Sequence, residues 1–267
     1  MTPPQLSDPF TLPTCPTCTL PNRIAKAALT EGLATPDGMA TPQLCRLYGL
    51  WSDGGAGLLL TGNILIDRDH LERPGNVVLH GGVAGSPAAT AALRAWTTAG
   101  TRQQNHMWAQ LSHGGRQVQR SVNPHPKAPS AVPLGIPGGK FGLPEALAAE
   151  EIEEVIAAFA TAAKTCQDNG FTGVQIHAAH GYLLSSFLNP RANQRTDAFG
   201  GTLERRASVL LQVVERVRAN VGPNFPICVK LNSADFQKGG FQFEDSLQVV
   251  QWLEAAGVDM IEISGGN

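Results

Sequence analysis

The sequence predicts an α/β protein: a parallel sheet under helical cover, laid out as a (β/α)8 TIM barrel with about six of the eight units present. Three observations carry this. Short apolar runs of strand length alternate strictly with longer segments whose apolar residues recur at helical spacing. Turn-formers are abundant, with 29 Gly and 19 Pro in 267 residues. Polar, reactive side chains (Thr30, Gln110, His177, Lys230) and the small Gly62 fall at the C-terminal ends of successive strands, the rim on which barrels of this type build their sites. No GxGxxG follows the first strand, so a dinucleotide-binding Rossmann domain is disfavoured.

Residues 24–29 (IAKAAL) form the first predicted strand. Thr41 offers a helix cap with Pro42 at the first helical position, and that helix runs to about Ser52 before Gly54-Gly55. The run 57–61 (GLLLT) is continuously apolar, as a strand covered on both faces must be. Ser86-Pro87 repeats the cap signal ahead of a helix carrying Leu93 and Trp96, and 106–111 (HMWAQL) is the third strand. Residues 112–149 then form a long, proline-studded loop, the length at which loops are usually functional, here lid-like. Ile152, Val155, Ile156, Phe159, Ala163 and Cys166 share one helix face, ended by Asn169-Gly170. Strand 172–176, a helix striped by Leu203 through Val217, strand 226–231, a helix over about 244–256 and strand 258–263 complete the alternation. Six units reach residue 263, so closing eight would take roughly 90 residues more.

Composition narrows the partners. With 20 Lys plus Arg against 22 Asp plus Glu and no basic run, nucleic acid is not expected. Apolar runs are strand-sized, so no membrane span is expected, and the start, MTPPQLSDPF, has neither the basic nor the apolar region of a signal peptide. A soluble, cytoplasmic protein is the expectation. Five cysteines argue against a disulfide scaffold. Cys15 and Cys18 form a lone CPTC, which suits a hairpin turn better than half a zinc site or a redox pair.

The densest chemistry follows the fourth strand. His177 and His180 lie just past it, and Tyr182 is two residues on. Two imidazoles near one point can donate two hydrogen bonds to a single oxygen and polarise a carbonyl, and a nearby phenol can deliver a proton. Read from the residues alone, HxxH is also half of a metal site, or a pair of histidines that merely caps a strand.

Several long motifs, in order, resemble the old yellow enzymes, the FMN-dependent NADH:flavin oxidoreductases. They are LPNRIAKAALTEGLAT at 20–35, GAGLLLTGN at 55–63, AQLSHGGRQ at 109–117, HAAHGYLLSSFLNPRANQRTDAFGGTLERR at 177–206, VKLNSADF at 229–236 and IEISGG at 261–266. The resemblance implies one FMN-binding barrel domain over 1–267, with residues 10–20 as a basal hairpin closing its floor. It implies that Ala28, Leu29 and Thr30 lie beside the flavin's reactive edge, that Gly62 lets the backbone approach the ring, and that Gln110 bonds its pyrimidine side. Lys230 would stabilise charge on the reduced flavin, at a position where many relatives carry arginine. His177 and His180 would hold the substrate oxygen, Tyr182 would donate the proton, and no metal is implied.

The expected activity is an ene-reductase: hydride from NAD(P)H passes through FMN to the C=C bond of an α,β-unsaturated carbonyl compound, an enone or enal. Relatives continue past ISGG into two further strands that grip the FMN phosphate, so the chain is expected to be C-terminally truncated. The alternative is therefore a non-catalytic partial barrel that binds FMN weakly or not at all. The sequence leaves NADH against NADPH, and a homo-oligomer against a monomer, undecided.

Overall fold

The structure, a computed structural model, describes residues 3–81 and 85–266. It opens with an antiparallel hairpin, β1 (Phe10–Leu12) and β2 (Cys15–Leu20). A parallel sheet follows, made of β3 (Ala25–Lys26), β4 (Leu58–Leu65), β6 (His106–Ser112), β9 (Gly173–Ala178), β10 (Ile227–Asn232) and β11 (Met260–Ser264). Their spatial order is their sequence order, each paired in parallel with the next, and β5 (Val77–Val78) adds to β4. The crossovers carry helices α1 (Pro42–Asp53), α2 (Pro87–Gly100), α3 (Ala149–Asp168), α4 (Leu183–Leu188), α5 (Leu203–Val221) and α6 (Phe243–Ala255). Among the described residues, no helix is long and apolar enough to cross a membrane.

The caps act as the sequence implies. Thr41 Oγ1 accepts from the Leu44 amide and Ser86 Oγ from the Ala89 amide, each followed by proline at the first helical position. Gly170, at φ +90°, turns the chain out of α3.

Three features depart from expectation. The first strand shrinks to two residues, because β4 is its sole neighbour among the described strands and beyond Lys26 the chain bends over the sheet, bringing Leu29 and Glu31 onto Gly62. Helix α4 was not foreseen. It is six residues long and buried on every side, so it has no polar face to create a period. The long loop is also more ordered than its prolines suggest, since β7 (Lys127–Ala128) pairs with β8 (Glu145–Ala146) and Gln119 bridges Phe141.

Two apolar clusters divide the interior. The larger lies between strands and helices and includes Phe159, Val174, Leu210 and Val229. The smaller lies inside the sheet's curve, where Leu58, Leu60, Trp108 and Cys228 meet Leu12, Cys15, Cys18 and Leu20 of the hairpin. The CPTC cysteines are thus floor packing, and burial pushes the Cys18 thiol up to about 12. The hairpin is tied at its turn as well. Thr14 Oγ1 donates to Asp259 Oδ1 at 2.6 Å, while Asp259 Oδ2 accepts from Arg218 at 2.6 Å and from the Ile227 amide at 2.7 Å.

Trp108 is fully buried at the centre of that floor cluster. Trp108→Ala should therefore cost about 3–5 kcal/mol in urea unfolding. A loss under 1 kcal/mol would show that the hairpin does not pack as a plug.

Candidate functional site

The site begins with an irregularity in β4. Leu60 pairs with Trp108 and Asn63 with Gln110, so β4 spends one extra residue over that interval, a β-bulge at Thr61-Gly62. Thr61 Oγ1 fills the gap, accepting from the Gln110 amide and donating to the Gly62 carbonyl, both at 2.9 Å. A Cβ on Gly62 would overlap the Leu29 carbonyl and the Glu31 carboxylate. The glycine is thus required by close approach of the chain that follows β3. Its amide donates to Glu31 Oε1 at 3.1 Å, the same oxygen that accepts from the Tyr48 hydroxyl. Burial, with the Glu31 charge behind it, holds the Tyr48 phenol well above its usual range.

Past the bulge, Asn63 stands beside two expected site residues. Its Nδ2 donates to Thr30 Oγ1 at 3.3 Å, while its Oδ1 is buried without a partner. Ala28 and Thr30 are half-buried and Leu29 is exposed.

Across the interior runs a chain of polar side chains. Gln110 Nε2 donates to Gln175 Oε1 at 2.7 Å, Gln175 Nε2 to Glu262 Oε2 at 2.6 Å, and Lys230 Nζ to Glu262 Oε1 at 2.8 Å. Lys230 is therefore a cation held on a carboxylate. Neither Gln175 nor Glu262 was anticipated. Gln175 lies two residues before His177, and that strand period of two was the signal available in the sequence.

The structure brings His177, His180 and Tyr182 together. Ring centroids are 5.1 Å apart for the two histidines, 4.9 Å for His177 and Tyr182, and 6.5 Å for His180 and Tyr182. The Ala179 amide donates to His177 Nδ1 at 3.2 Å, which assigns the ring proton to Nε2. Burial, with His180 and Lys230 nearby, keeps this imidazole well below its usual range, hence neutral. His180 is held from three sides. Its amide donates to Asn232 Oδ1, its carbonyl accepts from Gln117 Nε2, and its Nε2 lies 2.6 Å from Ser264 Oγ. Its backbone sits at φ +61°, a strained choice for a residue with a side chain. Tyr182 opens α4, and burial together with the Glu72 charge pushes its phenol up to about 12, so it stays protonated.

The HxxH pair thus spends a nitrogen of each ring within the protein. The one group of three potential metal ligands among the described residues lies elsewhere, at Asp67, His70 and His113. There His70 Nδ1 is 2.6 Å from Asp67 Oδ2, and its Nε2 accepts from the Lys127 amide. His113 Nδ1 accepts from the Gly115 amide. Ring lone pairs that a metal would need are taken by backbone donors, and the cluster pins the long loop to the end of β4.

The mouth fits the flavin that the resemblance implies. A planar ring with a donor–acceptor edge needs amides and a cation around it, and Gln110, Gln175, Lys230 and the orphaned Asn63 Oδ1 supply that set.

Four histidines make stability depend on pH on the acid side of neutrality. His177, His180, His106 and His113 are all lowered from 6.5, chiefly by burial. Below that pH the unfolded chain takes up protons that the folded one refuses, so the share of stability that depends on these rings staying neutral is present above 6.5 and is lost as pH falls. His177→Gln should make that decline shallower by about 1.4 kcal/mol per pH unit in urea unfolding between pH 6.5 and 5. Identical slopes would contradict the neutral, buried state of His177.

Comparison with known proteins identifies the family. NADH-dependent flavin oxidoreductase iliE of Neonectria sp. (strain DH2) is 35% identical over 263 residues, covering 93% of this chain and 34% of that protein. The chain therefore spans about a third of that relative's length. The old yellow enzyme homologue of Zymomonas mobilis superposes with a TM-score of 0.85 at 29% identity, over 99% of this chain and 74% of its own. Morphinone reductase, solved in complex with tetrahydroNAD, gives 0.82 at 26% identity, over 98% and 74%. The family model matches residues 5–266, and the chain belongs to the NADH:flavin oxidoreductase / NADH oxidase family.

Proposed function

We propose that the chain forms a single FMN-binding domain that carries an ene-reductase site, reducing the C=C bond of an α,β-unsaturated carbonyl compound at the expense of NAD(P)H. One observation carries the reading: a buried, neutral imidazole whose free proton is on Nε2 lies within 5.1 Å of a second imidazole and 4.9 Å of a protonated phenol, by ring centroids. Ala28, Leu29, Thr30, Gly62, Gln110 and Lys230 would hold FMN, which when bound accepts hydride from the nicotinamide and returns it to the substrate carbon.

The protein's part is binding, polarisation and proton delivery. His177 donates from Nε2 to the substrate carbonyl oxygen. Because the ring is neutral, the bond strengthens as negative charge grows on that oxygen, without a cation that would hold the ground state equally well. His180 takes the same oxygen from Nδ1–H in the tautomer whose Nε2 accepts from the Ser264 hydroxyl, 2.6 Å away. Lys230, fixed by Glu262, places positive charge beneath the mouth. Tyr182, held protonated by its burial, keeps its proton until the α-carbon becomes basic. Reductant and substrate use one mouth in turn, so double-reciprocal plots should be parallel.

An absorption spectrum of the purified chain, titrated with FMN from about 300 to 600 nm, is the first test. Saturable binding near one per chain is expected, and a protein that stays colourless would sink the reading for this chain. In the FMN-loaded protein, Tyr182→Phe should slow reoxidation by an enone by about 100-fold, the low end of a lost general acid, and leave reduction by NAD(P)H nearly untouched. Equal loss in both halves would remove Tyr182 from proton delivery.

A further inference from the structure

In the parallel ladder Glu262 of β11 lies opposite Lys230 of β10, and Lys230 lies opposite His177 of β9. Residues in register share a face, so carboxylate, ammonium and imidazole form one row inside the mouth. The carboxylate is held at both oxygens. Oε1 accepts from Lys230 Nζ at 2.8 Å, and Oε2 accepts from Gln175 Nε2 at 2.6 Å. The Lys230 side chain is 8% exposed and that of Glu262 25%, and Glu262 is the one ion-pair partner of Lys230 among the described residues. Both charges reach the imidazoles. That of Lys230 lowers His177 and His180, and that of Glu262 opposes it at His180. With His177 neutral, the row carries one positive and one negative charge.

A lysine whose sole task was to attract negative charge would act most strongly unpaired, because a carboxylate at contact distance cancels much of its field. We propose that Glu262 sets the hydride-donating power of the bound flavin by cancelling part of the Lys230 charge. This rests on the FMN site proposed above and goes beyond it. Hydride transfer from NAD(P)H breaks the nicotinamide C4–H bond, moves two electrons and one proton to the flavin, and leaves the flavin one negative charge richer. Transfer onward to the substrate β-carbon removes that charge, and the Tyr182 proton, replaced from solvent, completes the product. A full positive charge beside the ring would favour the first transfer and oppose the second to the same extent. With the carboxylate in the row, the site can both take hydride and give it. Glu262 acts through Lys230, so it is a positioning residue rather than a catalytic one.

The test is the two-electron midpoint potential of the bound flavin, measured against a reference dye, together with the Kd of oxidised FMN. Glu262→Gln keeps the shape of the side chain and removes its charge. Reduced flavin should then bind about 10-fold tighter relative to oxidised, the effect of one charge near a protein surface, which is a rise of about 30 mV. Lys230→Gln should move the potential the other way, and Glu262→Asp, which restores the charge, should stay near wild type. The double variant leaves no buried charge unpaired, so it reports even where Glu262→Gln does not fold. Its potential should exceed that of Lys230→Gln by a similar margin. In stopped flow, Glu262→Gln should be reduced by NADH no more slowly than wild type but reoxidised by a cyclic enone about 10-fold more slowly. A purely structural carboxylate would instead loosen FMN and slow both halves. An unmoved potential in Glu262→Gln, or equal potentials in Lys230→Gln and the double variant, would overturn the proposal. Wild-type protein that takes up no FMN would remove this proposal together with the cofactor reading. FMN that binds and is reduced, but is not reoxidised by enones, would defeat the ene-reductase reading and leave the potentials standing.

Discussion

An ammonium group cannot be taken into the interior of a sheet without an anion and without hydrogen bonds for the rest of that anion's oxygens. Lys230 and Glu262 meet this condition across β10 and β11. Glu262 offers its second oxygen to Gln175 on β9, and Gln175 takes the amide of Gln110 on β6. Four adjacent strands are thereby tied through their inward side chains, above an apolar floor and below the imidazoles. The chain fixes the height at which polarity begins inside the sheet. It also holds each strand's register, since a slip by one residue would turn these groups outward.

Above that line the geometry depends on small irregularities. The bulge in β4 turns Asn63 toward Thr30 and Tyr182, and the left-handed backbone of His180 lets its ring return to Ser264. Each costs regular hydrogen bonding or strain, and each is repaid by a bond from a different element. The site is therefore as rigid as the agreement between β4, β9, β10 and β11.

Much of the fold was legible because burial on both faces writes continuous apolar runs, and because Thr41-Pro42 and Ser86-Pro87 announce helix starts chemically. His177, His180 and Tyr182 were legible because reactive types crowd a strand end. The rest depends on partners. The length of β3 is set by what pairs with it, so IAKAAL could not declare that only two residues join the ladder. Glu262 sits among apolar residues in IEIS, where nothing local says that its charge meets Lys230 at 2.8 Å. Glu31 and Tyr48 are 17 residues apart and become neighbours only when the chain folds back over Gly62. The resemblance implies Lys230 beside the flavin, yet the carboxylate that holds it is 32 residues away and meets it only when β11 pairs with β10.

The tie between Thr14 and Asp259 spans 245 residues. During synthesis the hairpin therefore precedes by 245 residues the carboxylate that receives its threonine. Until then Leu12, Cys15, Cys18 and Leu20 have no finished surface to cover, because Cys228 and Met260 of the floor are also late. The base of the protein is thus a lock that can close only once β10 and β11 have been made. Until then the early segments lack the surface they cover, and contacts of this range delay cooperative folding.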